Sequence, residues 1–192
     1  MKILSILVLV LASYSTLVSA GSTEPLPVTN ADFNCMLDMQ AVRGFYVDNL
    51  IADKLPETLT VANAGTGEYP AGSVVQLVPG EVMVKHPAGF SPATKDWEFF
   101  ELNVSAENTE IGKRGFVDVV NRFGGNCFGC HVKAKPEFDM ICETGHGCDP
   151  IPLTPEITSL LQKTDPRCGG RYTPTTEEQQ MLKALAAQLS GQ

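Results

Sequence analysis

Beyond its first dozen residues this sequence has no apolar run long enough to span a bilayer, and with 14 Lys plus Arg against 22 Asp plus Glu it has no excess of positive charge. The first absence leaves no place for a transmembrane helix, which takes about 20 consecutive apolar residues. The second disfavours nucleic acid and anionic membrane surfaces as partners. No cysteine directly follows Ala20, so a lipid-anchored form is not expected. No internal repeat, low-complexity stretch or domain boundary interrupts the chain.

The first twenty residues read as an address. Lys2 supplies the positive start, Ile3 to Ala12 a short apolar core, and Val18-Ser19-Ala20 the small-residue cleavage site of a signal peptide over residues 1–20. About ten apolar residues are too few for a membrane anchor. The expected product is a periplasmic or secreted protein of residues 21–192, long enough for one domain with a sizeable core. Cleavage removes Lys2 and no acid, so the net charge of -8 becomes -9. Such a surface suits a partner with a basic docking face.

Apolar residues Phe33, Met36, Leu37 and Val42 stand at helix-like spacing, which predicts an N-terminal helix over 31–42. The stretch 46–60 has no decisive pattern, and residues 64–70 are a Gly- and Pro-punctuated loop. Runs rich in Val, Phe and other strand formers predict β-strands over 73–78, 81–85 and 97–104, the first two joined at Pro79-Gly80 as a hairpin. From Arg114 onward, Phe116, Val117, Val120 and Phe123 fall at i, i+1, i+4 and i+7, which predicts a core-facing helix ending at Gly124-Gly125. Two further helices are signalled by Thr154-Pro155-Glu156 and by Thr176-Glu177-Glu178 before 179–189. The expected class is α+β, an antiparallel β-sheet core with flanking helices.

Chemistry concentrates in Cys127-Phe128-Gly129-Cys130-His131, a CxxCH segment that in an exported protein reads as the attachment site of one covalent haem c. Two residues between the cysteines let both thiols reach the two vinyl groups of one haem, and the next imidazole is carried under the iron as proximal ligand. The alternatives are a redox-active CxxC, which wants a βαβ context, and half of a zinc site completed by Cys142 with Cys148 or His146. Haem use of Cys127 and Cys130 leaves four cysteines and three possible pairings. The favoured one closes the short loop Cys142–Cys148, whose Gly145, His146 and Gly147 make it flexible, and joins Cys35 to Cys168.

A β-rich middle followed by a late CxxCH resembles the cytochrome P460 and cytochrome c′-beta family rather than the helical small cytochromes c. Three stretches carry the likeness besides the haem motif: Arg43-Gly44-Phe45-Tyr46-Val47-Asp48, Tyr69-Pro70-Ala71-Gly72-Ser73-Val74, and the aromatic strand beginning at Trp97. Together they cover about residues 43–151. The resemblance implies a cytochrome P460-like fold in which haem packs against the antiparallel sheet, often in a homodimer. It implies either hydroxylamine oxidation, with haem additionally linked to a lysine, or nitric oxide binding at an open distal face without that link. Aligning Gly72-Ser73-Val74 with the family's strand puts Leu77 where the cross-linking lysine should stand; a register shifted by eight residues offers Lys85 instead. The first alignment keeps the Tyr-Pro lead-in and is preferred. Arg43, matched to a distal-pocket arginine, is either a hydrogen-bond donor to an iron-bound ligand or part of a salt bridge at a helix end. The family's distal acid has no counterpart that can be placed. Of Phe99 and Phe100, which point to opposite faces of one strand, one meets haem or core, with Trp97 on Phe99's side.

Three functions follow as expectations. The first is a monohaem protein that binds a small ligand such as nitric oxide or oxidises hydroxylamine, served by a redox partner protein. The second is an electron carrier with a sixth ligand drawn from Met83, Met140, Met181, His86 and His146. The third is a secreted module whose haem has no turnover role.

Overall fold

The computed structural model describes residues 24–190, so the expected leader over 1–20 lies outside the described residues. Six strands, Gln40–Val42 (β1), Phe45–Asn49 (β2), Ser73–Val78 (β3), Glu81–Lys85 (β4), Trp97–Val104 (β5) and Thr109–Gly115 (β6), are accompanied by four α-helices: Leu55–Ala64 (α1), Cys127–His131 (α2), Pro155–Lys163 (α3) and Thr176–Ser190 (α4). The strands make one sheet in which each pairs antiparallel with the next in sequence. The class is α+β, as the sequence predicts.

Strands β3, β4 and β5 occupy the predicted residues, because their β-branched and aromatic side chains alternate between two buried faces. One face gathers Val47, Val75, Met83, Trp97 and Phe99; the other gathers Val74, Val82, Val84, Phe100 and Leu102. Phe99 and Phe100 thus part company as expected. β1 and β2 turn on Arg43-Gly44, with φ of 45° and 106°, the two positive values that a two-residue hairpin matched to strand twist requires. The undecided stretch 46–60 divides into β2 and α1. That helix starts with Pro56 in its first turn and ends on Gly65 in the left-handed conformation, whose N–H reaches the carbonyls of Val61 and Ala62.

Two predicted helices are not formed. Residues 31–42 fold as short 3-10 turns, Asn30–Asp32 and Met36–Asp38, followed by β1. Long-range bonds override the local period: Cys35 is disulfide-bonded to Cys168, the Met36 amide donates to the Asp165 carboxylate, and Phe33 packs on Phe100 with ring centres 5.3 Å apart. The helix expected from Arg114 is instead the end of β6 and a loop. Gly115 turns the chain at φ 110°, and the Asn121 side chain accepts from the amides of Phe123 and Gly125, a local bond that competes with helix. Val119 is the residue that enters the core, whereas Val117 is 70 % exposed.

The C-terminal helices match their signals, with the Thr154 hydroxyl accepting from the Ile157 amide at the start of α3. Both disulfides, Cys35–Cys168 and Cys142–Cys148, are the favoured pairing. Among the described residues no helix is long and apolar enough to cross a membrane.

Candidate functional site

Helix α2 consists of the CxxCH residues themselves. Asn126 caps it: its side-chain oxygen accepts from the Gly129 amide at 2.7 Å, while its amide group donates to the carbonyls of Val117 and Val119. The Cys127 amide also donates to the Val119 carbonyl. One asparagine therefore fixes both the loop from β6 and the start of the motif.

The helix lies on the Phe99 face of the sheet. Phe99 is 5.3 Å from the His131 ring and 6.5 Å from that of Phe128, centre to centre, and Phe128 meets Phe116 at 6.0 Å. Cys127 and Cys130 are half-buried and, among the described residues, the only cysteines outside a disulfide. Burial first, then the nearby carboxylates Glu81 and Glu101, pushes the Cys127 thiol up to about 12. A nucleophilic redox cysteine needs the opposite shift, so this environment argues against a thioredoxin-like CxxC. The zinc alternative loses its second ligand pair, because Cys142 and Cys148 are bonded to each other.

His131 has a defined tautomer. Its Nδ1 lies 2.7 Å from the Met140 carbonyl, an acceptor only, so Nδ1 carries the proton and donates. Nε2 of the neutral ring then keeps its lone pair, and it makes no hydrogen bond in the structure. Burial lowers the imidazole's affinity for a second proton, though the Met140 carbonyl opposes it. An imidazole held by Nδ1–H to a backbone carbonyl with Nε2 open is how a protein presents histidine to a metal.

The acceptor carbonyl comes from an unusual turn. Asp139 and Met140 have φ of 47° and 67°, two consecutive non-glycine residues in the left-handed region, each at a cost on the order of 1 kcal/mol or more. Surrounding bonds hold it there. The Asp139 carboxylate takes both of its oxygens to Lys85 Nζ at 2.9 Å and accepts the Tyr69 amide at 2.9 Å; the Asp139 carbonyl accepts the Trp97 indole N–H at 2.8 Å. The side chains of Lys85 and Asp139 are each 3 % exposed. Burial raises the Asp139 carboxyl above its ordinary value, and Lys85 and the Tyr69 amide pull it back in part.

These findings place the remaining candidates. Lys85, the shifted alignment's cross-linking lysine, is committed to Asp139, and Leu77 lies half-buried against the core of the motif-facing side. Arg43 stands in its hairpin turn with its guanidinium on both oxygens of Glu143 and on the carbonyls of Ala62 and Asn63 at the end of α1. This is the helix-end salt bridge among its two expected roles. His86 has both nitrogens occupied, accepting from the Leu26 amide at Nδ1 and meeting Glu98 at Nε2. His146, stacked on Phe138 at 3.7 Å, donates Nδ1–H to the Ile141 carbonyl and leaves Nε2 without a hydrogen bond. Met83 and Met140 are buried in the motif-facing core and Met181 is exposed on α4.

Comparison with family models, curated proteins and solved structures returned no match to this chain.

The residues present fit a c-type haem by the chemistry of the donor set. Two free thiols and a lone-pair nitrogen lie within five residues, and Phe116 and Val117 before the motif and Val132 after it expose apolar surface. Sequence reasoning missed the Asp139-Met140 turn and Glu81. Glu81 stands opposite Glu101 across β4 and β5, where burial raises its carboxyl despite the Arg122 amide that donates to it. Unlike the CxxCH spacing, neither has a local signal.

Proposed function

We propose that this protein is an exported monohaem c-type cytochrome of P460 or c′-beta type that binds a small ligand such as nitric oxide. The observation that carries the reading is the set of two free thiols beside an imidazole whose Nδ1–H is tied to the Met140 carbonyl and whose Nε2 is open. Cys127 and Cys130 would form the thioethers and His131 would ligate the iron. A bound haem supplies an iron that changes oxidation state and takes a diatomic ligand. Both disulfides suit an oxidising compartment outside the cytoplasm.

Nitric oxide binding is favoured over hydroxylamine oxidation because Lys85 is held by Asp139 and Leu77 stands at the other aligned position. Arg43 is given no part in ligand binding, since its donors are spent on Glu143 and the end of α1. A six-coordinate electron carrier is the second reading, favoured by the open Nε2 of His146.

The test is an optical titration of the purified haem protein with nitric oxide, together with intact mass after denaturation. Haem retained through two thioethers, a high-spin ferric spectrum and a shifted Soret band on adding nitric oxide to the ferrous form are expected. A low-spin spectrum indifferent to nitric oxide selects the electron carrier, and a mass without haem removes both readings.

A further inference from the structure

We infer that Lys85 is a positioning residue for His131, acting through Asp139 and the left-handed turn that follows it. The inference rests on the haem reading above for its consequence at the iron, but its structural part concerns this chain alone. Lys85 and Trp97 are cross-strand partners at the shared end of β4 and β5, with Nζ 5.3 Å from the centre of the indole ring. Lys85 grips the Asp139 carboxylate from one side and Trp97 grips the Asp139 carbonyl through its indole N–H. The Tyr69 amide completes the hold on the carboxylate. With side chain and carbonyl of Asp139 both fixed, the next peptide has little freedom, and its oxygen, that of Met140, is the one His131 Nδ1–H meets at 2.7 Å.

The sheet, which contains no residue of the CxxCH motif, thereby decides the direction of the imidazole's hydrogen bond. Donating from Nδ1 makes Nε2 a stronger electron donor, which favours the ferric over the ferrous state of a ligated iron. A cation buried away from water is expensive unless paired. Its place beneath this turn, rather than an apolar side chain, is accounted for by the two left-handed residues it holds.

The experiment compares the full-length wild type with Lys85→Met and Trp97→Phe, the second keeping an aromatic side chain but losing the indole N–H together with the pyrrole part of the ring. Covalent haem is scored on denatured protein, and the midpoint potential and the ferrous iron–histidine stretch are read on folded protein. Both variants are expected to retain covalent haem while the potential moves upward and the stretch falls, the shift being larger in Lys85→Met than in Trp97→Phe. Wild-type values in every variant that folds would overturn the inference. If Lys85→Met does not fold, Trp97→Phe alone decides by the same readouts. A wild type without covalent haem refutes the haem reading instead; nitrogen chemical shifts of His131 then decide the positioning, expected as a single Nδ1–H tautomer in wild type and a mixture in the variants, and overturned by the same single tautomer throughout.

Discussion

Each face of the sheet carries a histidine, His86 buried on one and His131 half-buried on the other, and the two rings are set in opposite tautomers. Away from the motif, the Leu26 amide donates to His86 Nδ1, so the proton sits on Nε2 and points at Glu98, which also takes two bonds from Arg114. Arg114 reaches on to the Val28 carbonyl. That cluster ties the N-terminal segment to the sheet and has every ring nitrogen spent. On the motif face the Met140 carbonyl accepts the hydrogen bond from Nδ1–H, which leaves Nε2 open. Whether the backbone offers a donor or an acceptor to Nδ1 thus separates a structural histidine from one able to ligate.

The largest effect that would break this contrast is at the motif. Cys127→Ala with Cys130→Ala is expected to abolish covalent haem, and His86→Gln to leave it intact, both read by haem staining of denatured protein. Next come the paired aromatics of β5. Phe99→Ala and Phe100→Ala should each cost about 3–5 kcal/mol in denaturant unfolding, but only Phe99→Ala should disturb the His131 ring that it packs against.

The disulfides differ more modestly. Cys35–Cys168 spans a separation of 133 residues and Cys142–Cys148 one of six. Loop-closure entropy gives about 5 kcal/mol for the first and about 2 for the second, so replacing each pair by alanines should show a difference of about 2–3 kcal/mol in unfolding free energy.

The smallest effect is in the pH dependence, where the faces should oppose each other. Burial works against the charge on Glu98, but the hydrogen bonds from His86 and Arg114 outweigh it and hold the carboxyl below its ordinary value. Its stabilisation is present above the unfolded value and lost as pH falls through the folded one. Glu81 is raised by burial, so its neutral form is favoured in the folded state, and stability falls as pH rises from the unfolded through the folded value. In acid-range unfolding curves, Glu98→Gln should flatten a rise with pH and Glu81→Gln a fall.

What could be read from the chain by itself was local. The Val- and Phe-rich runs of β3, β4 and β5, the Thr154-Pro155 start of α3 and the CxxCH spacing each place their chemistry within a few residues, so neighbours in sequence suffice to identify them. The helix periods at 31–42 and after Arg114 were misleading for the same reason in reverse. Apolar spacing there is overridden, by the distant Cys168 bridge and Asp165 in one case and by the Gly115 turn and the bonds to the Asn121 side chain in the other. Only the tertiary structure decided which carbonyl meets His131 and what holds it. Lys85 and Asp139 are 54 residues apart and Trp97 and Asp139 are 42 apart. A hydrogen bond of that range leaves no periodicity, because it is set by how the sheet brings its strands under the turn.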